Sequence, residues 1–313
     1  MNLKQFLQFF YAPCVALAFC SAAWAQDSLK TIGPEAFLVL KTMHAYDKDL
    51  PLEPNVEVTR NWPEANGTLE RIVFTTFDGT RVPLTLLFPK QRKQPVPCVL
   101  LLHGLGENQD KWFSPEDKSR RAFAKRLVDS GMAVAAMDAR NHGKRNYQFG
   151  HQWPVSIATK NLVYTYQEMA ISTVIDYRRL MDYLETREEI DPERLGALGI
   201  SMGGMFTFEL AGIDDRIKAA VACVPPTPKW DWVVGTHYFA PYIKDCSLQI
   251  LMGRDDPFTT VSEARELHSL LATKKKDIVF YNAGHQLPDK ATDDALSWLT
   301  AHLKSHADSP KAP

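Results

Sequence analysis

RLGALGISMGGMFTFEL, residues 194–210, decides how this chain is read. An apolar, strand-like run leads into Ser201, and a helix-like run leaves it. Gly199 and Gly203 flank the serine in the pattern G-x-S-x-G, which by itself is a weak signal. Placed between a strand and a helix it predicts a sharp turn. The glycines let the backbones approach, and the turn lifts the hydroxyl above the strand ends, where the first N–H groups of the helix face it. A serine hydroxyl is a poor nucleophile unless a neighbouring base takes its proton. The reading therefore depends on what other strand ends supply.

The rest of the chain supplies them. Gly253-Arg254-Asp255-Asp256-Pro257 follows the apolar run LQILM, and Gly284-His285 follows DIVFY. Both lie where a parallel sheet opens its ligand crevice, and the order serine, acid, histidine is the order expected of an α/β-hydrolase. CVLLLHG, 98–104, is a continuous apolar run that suits a strand buried on both faces. HGLG at 103–106 ends that run. The backbone N–H of Leu105, paired with that of Met202, is the expected oxyanion hole, with His103 and Gly104 shaping the loop.

Around these points strand and helix alternate. TLERIVFTTF, the turn Asp78-Gly79-Thr80, and RVPLTLLF predict a β-hairpin. Helices are expected over about 117–130, 163–186 and 291–304. In the second of these, Ala170, Val174, Tyr177, Met181 and Leu184 fall on one face. GMAVAAMDAR and the runs at about 217–223, 247–252 and 277–281 predict further strands. The alternation predicts one doubly wound α/β domain: a mostly parallel sheet with an N-terminal antiparallel hairpin and helices on both faces. Two aromatic stretches without periodicity, 144–162 and 225–245, read as lids beside a pocket. Within the second, Trp230, Trp232, Tyr238 and Phe239 are candidates for that pocket or, equally, for plain core packing.

Taken together, YDKDLPLEP, VPCVLLLHGLGENQDKW, DARNHG, GISMGG, GRDDPFT and AGH resemble the α/β-hydrolase superfamily. More narrowly they resemble bacterial secreted esterases grouped with dienelactone hydrolases and acetyl xylan esterases. The resemblance implies a catalytic triad of Ser201, His285 and an acid, for which Asp256, third after Gly253, holds the family's usual position. Asp255 is its nearest rival and Asp231 a more distant one. It also implies that the D-x-R-x-H-G run, Asp138 to Gly143, is a hydrogen-bonded loop supporting the site, although His142 is a rival base by residue type alone. Dienelactone hydrolase itself carries a cysteine nucleophile, which position 201 does not.

The expected activity is hydrolysis of short-acyl or acetyl carboxylic esters, on a small-molecule or carbohydrate substrate. A peptidase or amidase with the same triad, or a non-catalytic binding protein on the same fold, is the alternative. No metal-ligand spacing, dinucleotide fingerprint or phosphate loop is present, so neither a metal nor another cofactor is expected. A formal net charge of −1 leaves no basic surplus for nucleic acid. Residues 1–25 read as a signal peptide: one lysine, an apolar stretch, then Ala23-Trp24-Ala25. That predicts a periplasmic or secreted protein without a stable membrane anchor, one domain over 26–305 and a disordered tail at 306–313. Cys98, Cys223 and Cys246 are too few for a disulfide framework. A single Cys223–Cys246 bridge stays open, and oligomeric state is not legible.

Overall fold

The run Val96–Leu102 carries no charge and is buried at every position, so each face must meet an apolar layer. Its alternate residues divide accordingly. Cys98, Leu100 and Leu102 join one core cluster, while Val99 and Leu101 join the other. This strand lies inside a nine-stranded sheet. The computed structural model describes residues 28–91, 95–146, 154–160, 162–227 and 234–304. The expected signal peptide, the tail after 305, and Trp230, Asp231 and Trp232 lie outside the described residues.

In chain order the elements begin with α1 (Pro34–Met43), β1 (Asn55–Trp62), β2 (Gly67–Thr75), β3 (Arg81–Pro89) and β4 (Val96–Leu102). There follow α2 (Lys118–Asp129), β5 (Ala133–Met137), α3 (Pro154–Thr159), α4 (Val163–Glu185) and β6 (Ile190–Ile200). Next come α5 (Met202–Ile213), β7 (Ile217–Cys223), α6 (Thr236–Phe239) and β8 (Ser247–Gly253). The last three are α7 (Val261–Leu270), β9 (Lys276–Tyr281) and α8 (Lys290–Leu303). The sheet order is β1-β2-β3-β5-β4-β6-β7-β8-β9. β1, β2, β3 and β5 pair antiparallel, and β5, β4, β6, β7, β8 and β9 pair parallel. Leu127 and Val128 of α2 and Leu299 and Leu303 of α8 cover one face. Val174 and Leu180 of α4 and Phe206 and Leu210 of α5 cover the other. The expected hairpin is β2–β3, and every expected parallel strand is present.

Three elements depart from the sequence reading. β1 adds a further antiparallel strand outside the hairpin. Val56 and Val58 alternate with Glu57 and Thr59, but seven of the strand's eight residues are exposed, so no buried face accompanies that alternation. α1 buries only Phe37 and Leu40. The described part of the second expected lid is not a lid. Val234, Phe239, Ala240 and Ile243 are buried, and the Phe239 ring meets Phe37 edge-on at 6.2 Å. Tyr238 and Phe239 belong to the main core, because packing rather than ligand contact accounts for their aromatic character. In the first expected lid, α3 likewise buries Pro154 and Ile157.

No Cys223–Cys246 bridge forms; all three described cysteines are free and buried. Register explains why. Cys223 pairs with Leu251 across β7 and β8, whereas Cys246 precedes Ser247, the partner of Ala219. Five residues along a strand is roughly 16 Å, and a disulfide needs Cα atoms within about 7 Å.

Candidate active site

The parallel strands β6, β8 and β9 end on the same edge of the sheet, and each delivers one polar side chain there. At the end of β6 the chain reverses into α5 through Ser201, whose φ of 57° and ψ of −119° are rare for a residue with a Cβ. Such a conformation costs on the order of 1–3 kcal/mol and survives only when its surroundings dictate it. Here they do. The Ser201 N–H donates to the Cys223 carbonyl of the next strand at 2.9 Å. A Cβ at Gly199 would stand 2.0 Å from the Gly203 carbonyl oxygen, and one at Gly203 would stand 2.1 Å from that of Leu102. The turn closes only without those side chains.

His285 lies four residues past β9. Its Nε2 is 2.8 Å from the Ser201 hydroxyl oxygen, and its Nδ1 is 2.7 Å from Oδ2 of Asp256. The Asp256 side chain is fully buried, while that of His285 is 29 % exposed. Oδ1 of Asp256 accepts the N–H groups of Phe258 and Thr259, at 2.8 and 3.1 Å. The buried carboxylate therefore has partners on both oxygens, as a buried charge requires. Asp255 is exposed and donates its N–H to the Ala283 carbonyl at 3.0 Å. Of the two neighbouring aspartates, only Asp256 reaches the imidazole. Thr259 ties this loop to the one after β7, donating to the Pro225 carbonyl and accepting the Thr227 N–H.

A cavity of about 330 Å³ opens beside Ser201 and His285. Phe123, Ile200, Val224 and Leu287 give it apolar walls, and Glu107, Arg120 and Gln286 give it a polar side. Leu105 lines it too. Met202 is the first residue of α5, so its N–H belongs to those a helix leaves without an internal partner. Tyr238 and Phe239 are not among its lining residues. Among the described residues no group of three His, Cys, Asp or Glu side chains is placed to hold a metal ion, and no helix is long and apolar enough to cross a membrane.

The Asp138–Gly143 run supports the site from behind. His103 Nε2 accepts the Ala139 N–H at 3.0 Å, which leaves Nδ1 to donate to the Gly104 carbonyl at 2.9 Å. The His142 ring lies 5.1 Å from that of His103, and its Nδ1 is 2.8 Å from the Arg140 carbonyl. Burial lowers the His103 pKa to about 4 and the His142 pKa to about 3. Both imidazoles are thus neutral spacers, and it is His285 that holds the serine hydroxyl. Asp138 accepts the N–H groups of Gln109 and Lys144, each at 2.9 Å. Two neighbours of the site carry no sequence signal. Phe258 places its ring 4.7 Å from that of His285 in an edge-on contact, and Arg120, on α2, pairs with Glu107.

The chain is similar to several known proteins. The family profile described as Acetyl xylan esterase (AXE1) matches residues 40–242. The protein YtaP of Bacillus subtilis (strain 168) is 27% identical over 172 residues, 53% of this chain and 56% of YtaP. The matched region thus spans about half the length of that relative. Among solved structures, acetyl xylan esterase 1 from Thermoanaerobacterium sp. superposes with a TM-score of 0.70 at 16% identity, over 88% of this chain and 95% of that one. The acetyl xylan esterase from Paenibacillus sp. R4 does so with a TM-score of 0.70 at 18% identity, over 97% and 100%. At such identities the likeness is one of fold, and the fold is that of the α/β-hydrolases.

Two outcomes follow for stability. Gly203→Ala forces a side chain against the Leu102 carbonyl and should cost about 3 kcal/mol or more in urea unfolding. Gly33→Ala, with nothing within 4 Å of the added Cβ, is the control expected to change little. The second concerns acid. Unfolded, His103 and His142 titrate near 6.5; folded, they stay unprotonated down to about 4 and about 3. The unfolded state then binds more protons, so stability falls as pH drops from about 6.5 towards 4. His142→Gln should flatten the measured dependence of unfolding free energy on pH across that window. An unchanged slope would refute the assignment.

Proposed function

The chain belongs to the acetyl xylan esterase family, and on that premise we propose that it is a serine esterase cleaving short-acyl, chiefly acetyl, esters through an acyl-enzyme. The observation that carries this reading is the continuous relay from Asp256 through His285 to Ser201, opening on a cavity beside the first turn of α5. In this reading Ser201 Oγ attacks the acyl carbon as its proton passes to His285 Nε2. Asp256 holds the Nδ1 proton, which keeps Nε2 free to accept, and stabilises the imidazolium that forms.

The carbonyl oxygen gathers negative charge as the tetrahedral intermediate forms, and the N–H groups of Leu105 and Met202 are the donors proposed for it. Collapse of that intermediate sends the proton from His285 to the departing alcohol oxygen, leaving the acyl group on Ser201. Water then enters, His285 takes one of its protons, and a second collapse frees the carboxylic acid and restores the serine hydroxyl. A cavity with apolar walls and a polar side suits an ester with a small acyl group on a hydroxylated alcohol, and acetylated sugars have that chemistry. The signal-like sequence of residues 1–25 supports action outside the cytoplasm.

Ser201→Ala should lower kcat on p-nitrophenyl acetate by about 10⁴-fold or more, and Asp256→Asn by a comparable factor. Both variants should keep the wild-type melting temperature within a few degrees. A fluorophosphonate should label the wild type and spare Ser201→Ala. Undiminished turnover by a folded Ser201→Ala would contradict the reading.

A further inference from the structure

The loop that follows β4 is glycine-rich, and yet both backbone polar atoms of Gly104 are held. Residues 104–107 form a turn closed by the Glu107 N–H on the Gly104 carbonyl at 3.2 Å, with Gly106 at φ +77°. A positive φ at the third residue of a turn is the mark of type II, and glycine is the residue that tolerates it. The Gly104 carbonyl also receives His103 Nδ1 at 2.9 Å. Because the peptide is planar and trans, two donors on that carbonyl force the Leu105 N–H to point the opposite way. Gly104's own N–H donates to Oε2 of Glu107 at 3.0 Å. Glu107 therefore grips Gly104 from both sides, through its backbone N–H and through its carboxylate.

That carboxylate is itself held. Arg120, in the first turn of α2, donates Nε to Oε2 at 3.0 Å and places Nη2 2.5 Å from Oε1. This is the two-point guanidinium–carboxylate geometry that fixes orientation as well as charge. The Arg120 N–H is in turn taken by Asp117, the N-cap of α2, at 3.1 Å, so the brace ends on a helix. Both side chains are 21 % exposed, and both line the cavity beside Ser201. A turn containing Gly104 and Gly106 has more accessible backbone states than one built of other residues. The two donors on the Gly104 carbonyl set the peptide only where Gly104 itself stays in place, and the Glu107 carboxylate is what anchors its N–H.

We propose that Glu107 and Arg120 are a positioning pair, setting the Gly104–Leu105 peptide so that the Leu105 N–H stays aimed at the oxyanion. The proposal rests on the esterase reading and deepens it. Neither residue touches the reacting atoms; their influence passes through the backbone. A direct contact with the alcohol part of the substrate is the competing role, since the pair also faces the cavity, and the two roles differ in kinetics.

The test measures kcat and KM on p-nitrophenyl acetate for the wild type, Glu107→Ala, Glu107→Gln and Arg120→Ala. Alongside, it measures inhibition by an aryl trifluoromethyl ketone, which adds to the serine and places an oxyanion in the hole. Deleting a donor outright costs about 10²–10³ in kcat, so misaiming one should cost roughly 10–100-fold in Glu107→Ala. KM should change by less than about threefold, since the interaction is made only in the transition state. The ketone should weaken by the same factor as kcat/KM. Glu107→Gln keeps an oxygen for the Gly104 N–H and should recover most of the rate, and Arg120→Ala should fall between the two. A raised KM at unchanged kcat would overturn the proposal in favour of substrate contact. So would a loss of rate with unaltered ketone affinity, or equal losses in Glu107→Gln and Glu107→Ala that track a lowered melting temperature. A wild type inert towards both ester and ketone would overturn the esterase reading itself.

Discussion

At the end of β6 the chain turns into α5 so tightly that the backbones at Gly199 and Gly203 leave no room for a Cβ. The rest of the site is arranged around that approach. It fixes Ser201 at φ 57°, which lifts the hydroxyl off the sheet and sets the first N–H groups of α5 beside it. The strain is held by the sheet on one side, through the Ser201 N–H on the Cys223 carbonyl, and by the buried α5 on the other. A parallel sheet then does the remaining positioning. β4, β8 and β9 end on the same edge as β6, so Leu105, Ser201 and His285, far apart in sequence, line one cavity, and Asp256 reaches His285. The precision comes from strand ends rather than from the loops themselves, whose short tethers are pinned by carbonyls and threonine hydroxyls.

Charge around the site is sorted by burial. The polar groups behind the serine are either kept neutral, as His103 and His142 are by desolvation, or paired. Arg140 donates Nε and Nη2 to the two oxygens of Asp176 at 2.7 and 2.9 Å. Arg145 lies 2.7 Å from the same fully buried carboxylate. Such pairs add little net stability against an apolar alternative, but breaking one leaves an uncompensated buried charge. They hold the loop after β5 against α4, and through the His103 hydrogen bonds that loop fixes the start of the Gly104–Glu107 turn. The histidine next to the serine, His285, differs from His103 and His142 in being partly open to solvent.

How much of this was legible in the sequence depends on whether the signal was local. Val96–Leu102 and Ala133–Met137 read as buried strands because every residue is apolar and every residue is in fact buried. The turn at Ser201 was legible because only glycine fits at 199 and 203. Asp256 and Asp255 are chemically identical neighbours; the spacing after Gly253 favours Asp256, and the fold turns that carboxylate inward onto His285. β1 was harder to place: its Val-Glu-Val-Thr alternation is short, its valines are exposed, and its pairing shifts register between Val56 and Val58. α7 had a local signal that went unused: Thr260 and Glu263 form a capping box. For Tyr238 and Phe239 the sequence leaves pocket and core equally open, because an aromatic run looks the same whether it meets a ligand or Phe37, and the structure packs both in the core. The Glu107–Arg120 pair joins a turn to a helix, and neither residue's neighbours in sequence announce the other.

In the proposed reaction Ser201 carries the acyl group in transit, and an acid quench can catch it there. The protein is mixed with p-nitrophenyl acetate, quenched with acid during the first turnovers, digested and weighed by mass spectrometry. In that reaction one added acetyl group is expected on the peptide that contains Ser201, present at early times and gone once substrate is exhausted. Turnover that proceeds with no acetyl group on that peptide, or with acetyl accumulating on another residue at the rate of turnover, would contradict it.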